Sequence, residues 1–503
     1  MALDPRTPVV AGVGQLVRRP AAQPTPEWVS SLSEPVDMMA EALRAAAADS
    51  GAGSDLLARA DSVRVVSLLS WPYRDPAALL ADRIGAAPRQ RLVSAVGGNS
   101  PQALVNDAAS AIARGELDVA AVAGAEAVYT QVLRRRVGGQ PSWTEQPEDT
   151  PPAPQFGTDR PGHSEAEAAA GLLVPVQFYP LFENALRARA ARSIEDHQAL
   201  VSRMWSRFSQ VAASNPYAWS PTAYGPEELR TVSPDNRMIG FPYPKLMNAN
   251  IQTDQAAGLI VCSLEAARSA GVPDDRLVFP RAGADAADHW FVTERADLAS
   301  SPAIEACGRA VLEADGTGID DVAHVDLYSC FPSAVQVSAA ALGLPVDDPD
   351  RPLTVTGGLA FAGGPGNNYV SHSIAAMVGA LRADPGSLGL VTAVGWYLTK
   401  HSVGLYSTEP PTGGFRWSSQ QATVDARPGR KVVTGYEGPA TVETYTVMHE
   451  RDGSPSIGIA VCLTPDGDRV LANERDAATL AGWTSSEQCG RSVRVRDGGL
   501  EGA

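Results

Sequence analysis

The sequence is short of the residues that several protein classes need. Its five cysteines, Cys262, Cys307, Cys330, Cys462 and Cys489, are scattered and form no C-x-x-C pair. An odd number at wide spacing suits neither a disulfide framework nor a zinc site, and points to a reducing cytoplasm. No apolar run approaches the ~20 residues of a membrane span. The start, MALDPRTPVVAG, lacks the basic region and apolar core of a signal peptide. Positive charge is scarce as well: 41 Lys and Arg against 57 Asp and Glu give a formal net charge of −16. Nucleic acids and anionic membranes reward Lys and Arg, so neither is an expected partner. A small anionic ligand stays open, because it needs only a local basic patch.

What is present is globular material, 44% hydrophobic and 19% charged over 503 residues. That length exceeds one compact core and implies two or three domains. VVAGVGQ (9–15) reads as a buried strand of an α/β fold. Its G-x-G-Q is not a dinucleotide fingerprint, since Val17 stands where the third glycine is needed. Ser33-Glu34-Pro35 opens a helix running through Met39 and Leu43 to Gly51. Asp75-Pro76 caps another that stops near Gly85.

Two segments share a pattern of strand, glycine turn, helix and strand: 93–127 (VSAVGGNSPQALVNDAAS…AAVAGAEA) and 353–396 (LTVTGGLAFAGGPGNNYVSH…VTAVGW). Such a repeat suggests two similar halves, each with a mostly parallel, helix-covered sheet. Between them, 140–162 is a Pro-rich loop and 182–213 is helical, with Ser193 and Asp196 as a capping pair. After the linker STEPPTGG (407–414) come short alternating runs: ATVDA, RKVVTGY, ATVETYTVMHE, SIGIAVCLT, RVLANE and SVRVR. Turns such as Asp452-Gly453 and Asp466-Gly467 separate them, which predicts a small β-barrel. The expected division is 1–127 and 246–275 for the first half, 128–245 for an insertion, 276–406 for the second half and 407–503 for the barrel.

The turn Gly363-Gly364-Pro365-Gly366 carries no reactive side chain. Asn367, Asn368, Tyr369 and His372 follow at a helix start, where one Asn suffices as a cap. Val370, Ile374, Met377, Val378 and Leu381 form that helix's apolar stripe. His372 lies off it, toward a pocket or toward solvent. Lys400-His401 follows the last strand of the second half, approaching the pocket or decorating a strand end. Cys330 reads as a small core residue.

GVGQ (12–15), ARGELDVAAVAGAEA (113–127), TDQAAGLIVCSLEAARSAGVP (253–273) and GGLAFAGGPGNNY (357–369) resemble segments of the thiolase superfamily. The likeness covers most of 1–405. The whole chain most resembles thiolase-like proteins of type 1 from actinobacteria, often labelled acetyl-CoA acetyltransferases, with an additional C-terminal domain. The resemblance implies a five-layered α-β-α-β-α fold of two βαβ-type halves, with an OB-like barrel appended. It implies an acyltransferase ancestry in lipid metabolism, no required cofactor, and CoA or acyl-CoA as ligand or substrate.

Carried over position by position, the nucleophile motif C-x-S-G-x-x-A falls on Gly97–Ala103, so Gly97 replaces the Cys. The G-H-P turn puts Gly364 at the His. C-x-G puts Ala393 at the second Cys, and H-D-C-F puts Tyr328 at the oxyanion residue. Cys-dependent thiolysis is therefore not expected. The expected function is that of a thiolase-like acyl-CoA-binding protein. One alternative is a retro-aldolase on a β-hydroxyacyl-CoA using Tyr328, which resembles the Y-D-C-F of thiolase-like aldolases that work with an OB-fold partner. Another is a non-catalytic carrier or scaffold. The candidate catalytic groups are Tyr328, His372 and His401. The candidate CoA contacts are Arg134, Arg135, Arg136, Asn367 and Asn368. Arg187, Arg189 and Arg192 serve either CoA phosphates or a solvated helix face. A protein partner at the C-terminal domain, and a monomer or homodimer, complete the expectations.

Overall fold

Two sheets face each other across a pair of buried helices. The computed structural model describes residues 3–19, 23–53 and 55–501. The first sheet runs Pro8–Val17, Asp254–Ser263, Val119–Ala127, Ser62–Val65, Gln90–Ser94, Gln155–Phe156. The second runs Val322–Asp326, Leu388–Gly395, Lys400–Ser407, Phe279–Ala287, Arg416–Ser419. Starting from Pro8–Val17 or from Phe279–Ala287, successive pairings are antiparallel, antiparallel, parallel in both. The two starting strands meet where Val10 N–H donates to Val278 O at 2.7 Å.

Helices Ser100–Ala113 and Tyr369–Ala383 lie between the sheets, against each other and against strands of both. Pro35–Ser50 and Pro302–Asp315 cover the outer faces. The central helix Ser100–Ala113 has almost no exposed face, which its small residues permit. Its polar groups are paired inside: Gln102 accepts from Tyr406 Oη at 2.8 Å and donates to Asn106 Oδ1 at 2.9 Å. The predicted caps are present, with Asp75 accepting from Ala78 N–H and Gly51 and Gly85 closing their helices in the left-handed conformation.

The repeat differs in one respect from expectation. Residues 353–356 are not a strand; a short helix, Gly358–Phe361, stands between them and the glycine turn. Thr354 and Thr356 instead turn toward Asp326, donating to its carboxylate at 2.9 and 3.2 Å. In the insertion the helical stretch splits into Pro175–Arg189 and Ile194–Ser214. Ser193 caps the second by accepting from Asp196 N–H at 3.0 Å.

A closed five-stranded barrel lies in the C-terminal region: Gly438–His449, Pro455–Leu463, Arg469–Glu474, Gly499–Glu501 and Ser492–Arg496, which returns to the first. Two expected strands are absent. ATVDA forms the helix Gln421–Asp425, and RKVVTGY supplies only an isolated bridge between Val432 and Arg469. Closure comes from the chain's last strand, and Arg416–Ser419 joins the second sheet. The insertion's Met238–Gly240 pairs onto the barrel through Gly240 and Met448. Buried Arg469 ties barrel to body, donating to Glu443 at 2.7 and 2.8 Å and to the carbonyls of Thr293 and Arg295 at 2.8 and 2.6 Å.

Candidate functional site

The loop after Gln90–Ser94 opens the central helix at Ser100, and the glycine turn opens its counterpart at Tyr369. The two openings meet. Gly97 N–H donates to Asn367 Oδ1 at 2.9 Å, and Asn367 Nδ2 donates to Ser67 O at 2.8 Å. Asn368 does not cap its helix with its side chain. It donates to Gly124 O at 2.7 Å and accepts from Ser371 Oγ at 2.7 Å, pinning the helix to a strand of the first sheet.

Gly97 sits at φ 149°, and a Cβ built on it would stand 2.8 Å from Lys400 Cε and 2.9 Å from Lys400 Nζ. The Lys400 amine fills the space beside Gly97 and donates to Val96 O. Burial pushes the Lys400 amine down to about 8, with Asp159 opposing. A Cβ on Gly395, directly across the strand pair from Lys400, would stand 3.2 Å from Gly97 Cα. The Tyr328 hydroxyl abuts Gly98 beside Val394 O. Its ring stands edge-on to Tyr369, centroids 5.6 Å apart, and its N–H donates to Thr392 Oγ1 at 2.9 Å. Burial pushes both the Tyr328 hydroxyl and the Cys330 thiol up, the latter to about 12.

Two buried carboxyls brace the loops. Asp326 accepts from Ser373 Oγ at 2.6 Å and Tyr369 Oη at 3.1 Å, as well as from Thr354 and Thr356. Glu126 accepts from the N–H groups of Leu69 and Ser70 at 2.7 and 2.9 Å, lies against Gly366, and is pushed up to about 7 by burial.

The structure brings Gly97, Tyr328, Asn367 and the strand end after Ala393 together, with Gly364 in the adjoining turn, its N–H donating to Asn250 O. His372 is set apart, facing neither pocket nor solvent. It is 6% exposed, its Nδ1 is 2.8 Å from Gln15 Oε1, and burial pushes it down to about 4. A helix enclosed by two sheets has no solvent face, so the apolar stripe was no guide. His401 is buried with its Nε2 3.4 Å from Asp288 and 3.0 Å from Leu398 O, and it lines one wall of a cavity shared with Lys400. Lys400 begins a strand rather than following the last one.

Arg134, Arg135 and Arg136 end the helix Val128–Val137. Arg134 is half-buried and the other two are exposed. Arg187 is buried and paired with Glu487 of the C-terminal region, and Arg189 pairs with Asp297, so neither lies on a free cationic face. Sequence reading missed Asn99, Asp285 and Trp417, which line the Lys400 cavity. Asn99 followed the glycine pair that marked the loop; the other two carried no signal.

Paired halves around two central helices define a thiolase-superfamily fold. The thiolase-like protein type 1 additional C-terminal domain matches residues 420–500. A monomeric SCP2-thiolase-like protein type 1 from Mycobacterium smegmatis is 36% identical, with 98% of this chain and 97% of that one covered and a TM-score of 0.83. The chain belongs to the SCP2-thiolase-like proteins of type 1. An Ltp2-ChsH2(DUF35) aldolase (19% identity, 80% and 99% covered, TM-score 0.60) and an acetyl-CoA acetyltransferase from Syntrophomonas wolfei (13%, 80% and 99%, 0.56) share the fold. No curated protein matches the sequence. Among the described residues, no helix is long and apolar enough to cross a membrane.

Proposed function

We propose that this chain binds an acyl-CoA and does not carry out Cys-dependent thiolysis, despite its nominal kinship with acetyl-CoA acetyltransferases. The observation that carries this reading is the Gly97–Lys400 contact. Where a thiolate nucleophile would stand, the backbone carries no side chain and the space is filled by a lysine 2.8–2.9 Å from any added Cβ. Gly97 N–H is bound to Asn367 and Ser100 N–H to Gly97 O, so a thioester would meet the N–H groups of Gly98 and Asn99 just before the helix. Arg134, Arg135 and Arg136, which make no ion pair among the described residues, are the proposed phosphate contacts. Titration calorimetry with CoA and acetyl-CoA tests the reading. It expects heat from both, weakened when Arg135 and Arg136 become Ala, and no thiolysis of acetoacetyl-CoA. Absence of heat with either ligand overturns it and leaves a scaffold, with the barrel as the surface for a protein partner.

A second reading rests on Tyr328. Its hydroxyl makes no hydrogen bond among the described residues and faces the Gly98 backbone, where it could hold an enolate during retro-aldol cleavage of a β-hydroxyacyl-CoA. In that case Tyr328→Phe abolishes cleavage while CoA binding heat is unchanged. The M. smegmatis relative is described as monomeric, and here the outer side of Gln90–Ser94 in the first sheet is taken by the chain's own Gln155–Phe156. A monomer by light scattering is the expected state.

A further inference from the structure

Lysine is almost absent from this chain. Of its 41 basic residues only three are lysines, Lys245, Lys400 and Lys431. Lys245 is exposed, and Lys431 is 72% exposed in an ion pair with Asp468. Lys400 is 8% exposed. A buried cation in this protein is otherwise an arginine, as at Arg64, Arg187, Arg295 and Arg469. Arginine stays charged at any working pH, whereas a buried lysine can give up its proton and become a nucleophile.

The surroundings of Lys400 suit the neutral amine. An ammonium has three N–H donors to satisfy. Here one hydrogen bond is made, to Val96 O, and among the described residues no carboxylate pairs with Lys400. The Trp290 ring, its centroid 6.0 Å from Nζ, and Asp159 favour the charge, and burial outweighs them. Lys400 lines a cavity of about 350 Å³ together with Asn99, Phe156, Asp285 and Trp417. Of these, Asn99 Oδ1 is buried with no hydrogen-bond partner among the described residues, while the Asp285 carboxylate is held by Asn106 and Trp417. Buried polar atoms are rarely left unpaired unless something else meets them. A reactive amine beside apolar walls and an unpaired acceptor describes a site for a small ligand with both a carbonyl and a donor group.

We propose that Lys400 is a Schiff-base lysine that captures the carbonyl of a small aldehyde or ketone in this cavity. The proposal is independent of acyl-CoA binding and goes beyond it. In the capture step the Nζ lone pair attacks the carbonyl carbon, a C–N bond forms, and the carbonyl π pair moves to oxygen. A proton passes from nitrogen to that oxygen, giving a carbinolamine. Its hydroxyl then takes a second proton and leaves as water while the nitrogen lone pair closes the C=N bond. Asp285 stands in the same wall, and burial raises its carboxyl above the usual range, so it can supply and recover that second proton. The imine returns to free amine and carbonyl by hydrolysis.

The test is reductive trapping on the full chain. Native protein is incubated near neutral pH with propanal and sodium cyanoborohydride, which delivers hydride to the imine carbon. Propylated peptides are then followed by mass spectrometry. With its amine at about 8, Lys400 should be labelled roughly tenfold faster than Lys245 and Lys431, since a larger neutral fraction outweighs some lost nucleophilicity. In urea the three rates should converge. Asp285→Asn should slow labelling of Lys400 and leave the two surface lysines unchanged, in a variant whose circular dichroism and urea midpoint show that it is folded. Labelling of Lys400 no faster than that of Lys245 and Lys431 in the native protein overturns the proposal.

Discussion

Asn367 Oδ1 accepts the N–H of Gly97 at 2.9 Å, joining the glycine loops of the two halves through a single side chain. The same amide donates to Ser67 O at 2.8 Å, so it closes a three-loop junction. Asn367→Ala would leave the buried Gly97 N–H and the half-buried Ser67 C=O without this partner. The expected loss is ~1–3 kcal/mol, the range for stranding such groups. Urea unfolding measures it directly, and a loss within error would mean that the loops are held by packing alone.

Much of this architecture was legible, because it rests on local chemistry. The caps at Asp75 and Ser193, the closing glycines 51 and 85, and the turns at Asp452-Gly453 and Asp466-Gly467 each have a backbone reason that a sequence displays. The resemblance to thiolases pointed to Gly97, Tyr328 and Gly364 as parts of one site. Lys400 was misplaced because the turn before it hides its signature. It uses Trp396 at φ 55° and Leu398 at φ 53°, where a reader looks for Gly or Asn. ATVDA alternates like a strand over too few residues to be told from a helix. The strand Gly499–Glu501 is three residues long and gains its meaning only by closing the barrel.

Restoring a thiol at position 97 should not restore a thiolase. Gly97 holds φ 149°, and a new Cβ meets Lys400 at 2.8 and 2.9 Å. Gly97→Cys should therefore cost ~1–3 kcal/mol from overpacking and backbone strain. Adding Lys400→Ala should return part of that loss by removing the lysine contacts, but neither the strain nor the 2.6 Å approach to Asn99 Oδ1. Thermal unfolding of the single and double variants checks both, and a single variant as stable as wild type would mean that Lys400 swings away freely.

Arg469 joins barrel and body by a route that a hydrophobic side chain cannot imitate. Its guanidinium satisfies Glu443 and two carbonyls of the body, Thr293 and Arg295. Arg469→Met keeps much of the volume but strands all three acceptors. Breaking a buried pair from one side costs ~3–5 kcal/mol. The expected readout is a lower Tm, with limited proteolysis near the barrel junction. Unchanged unfolding would show that the barrel is held by its apolar contacts alone.

His372 gives the protein an acid-side liability whose sign can be worked out. Burial lowers it from its ordinary 6.5 to about 4. Between those values the unfolded chain binds a proton that the folded chain refuses. Stability from this group is therefore complete above ~6.5 and is lost as pH falls toward ~4, by at most ~3 kcal/mol at ~1.4 per unit. Glu126, raised to about 7, and Asp254, raised to about 6, act in the opposite sense. Their folded forms hold protons that the unfolded chain releases, so their contribution declines as pH rises through about the same window. The two carboxyls together outweigh the histidine, so these three groups lower total stability as pH rises through the window, and the His372 arm is visible only by difference. Gln at 372 can still meet Gln15 but does not titrate. His372→Gln should gain on wild type steadily as pH is lowered from 7 to 4.5 in urea titrations. A difference that stays constant with pH would mean that His372 takes up its proton in the folded protein as readily as in water.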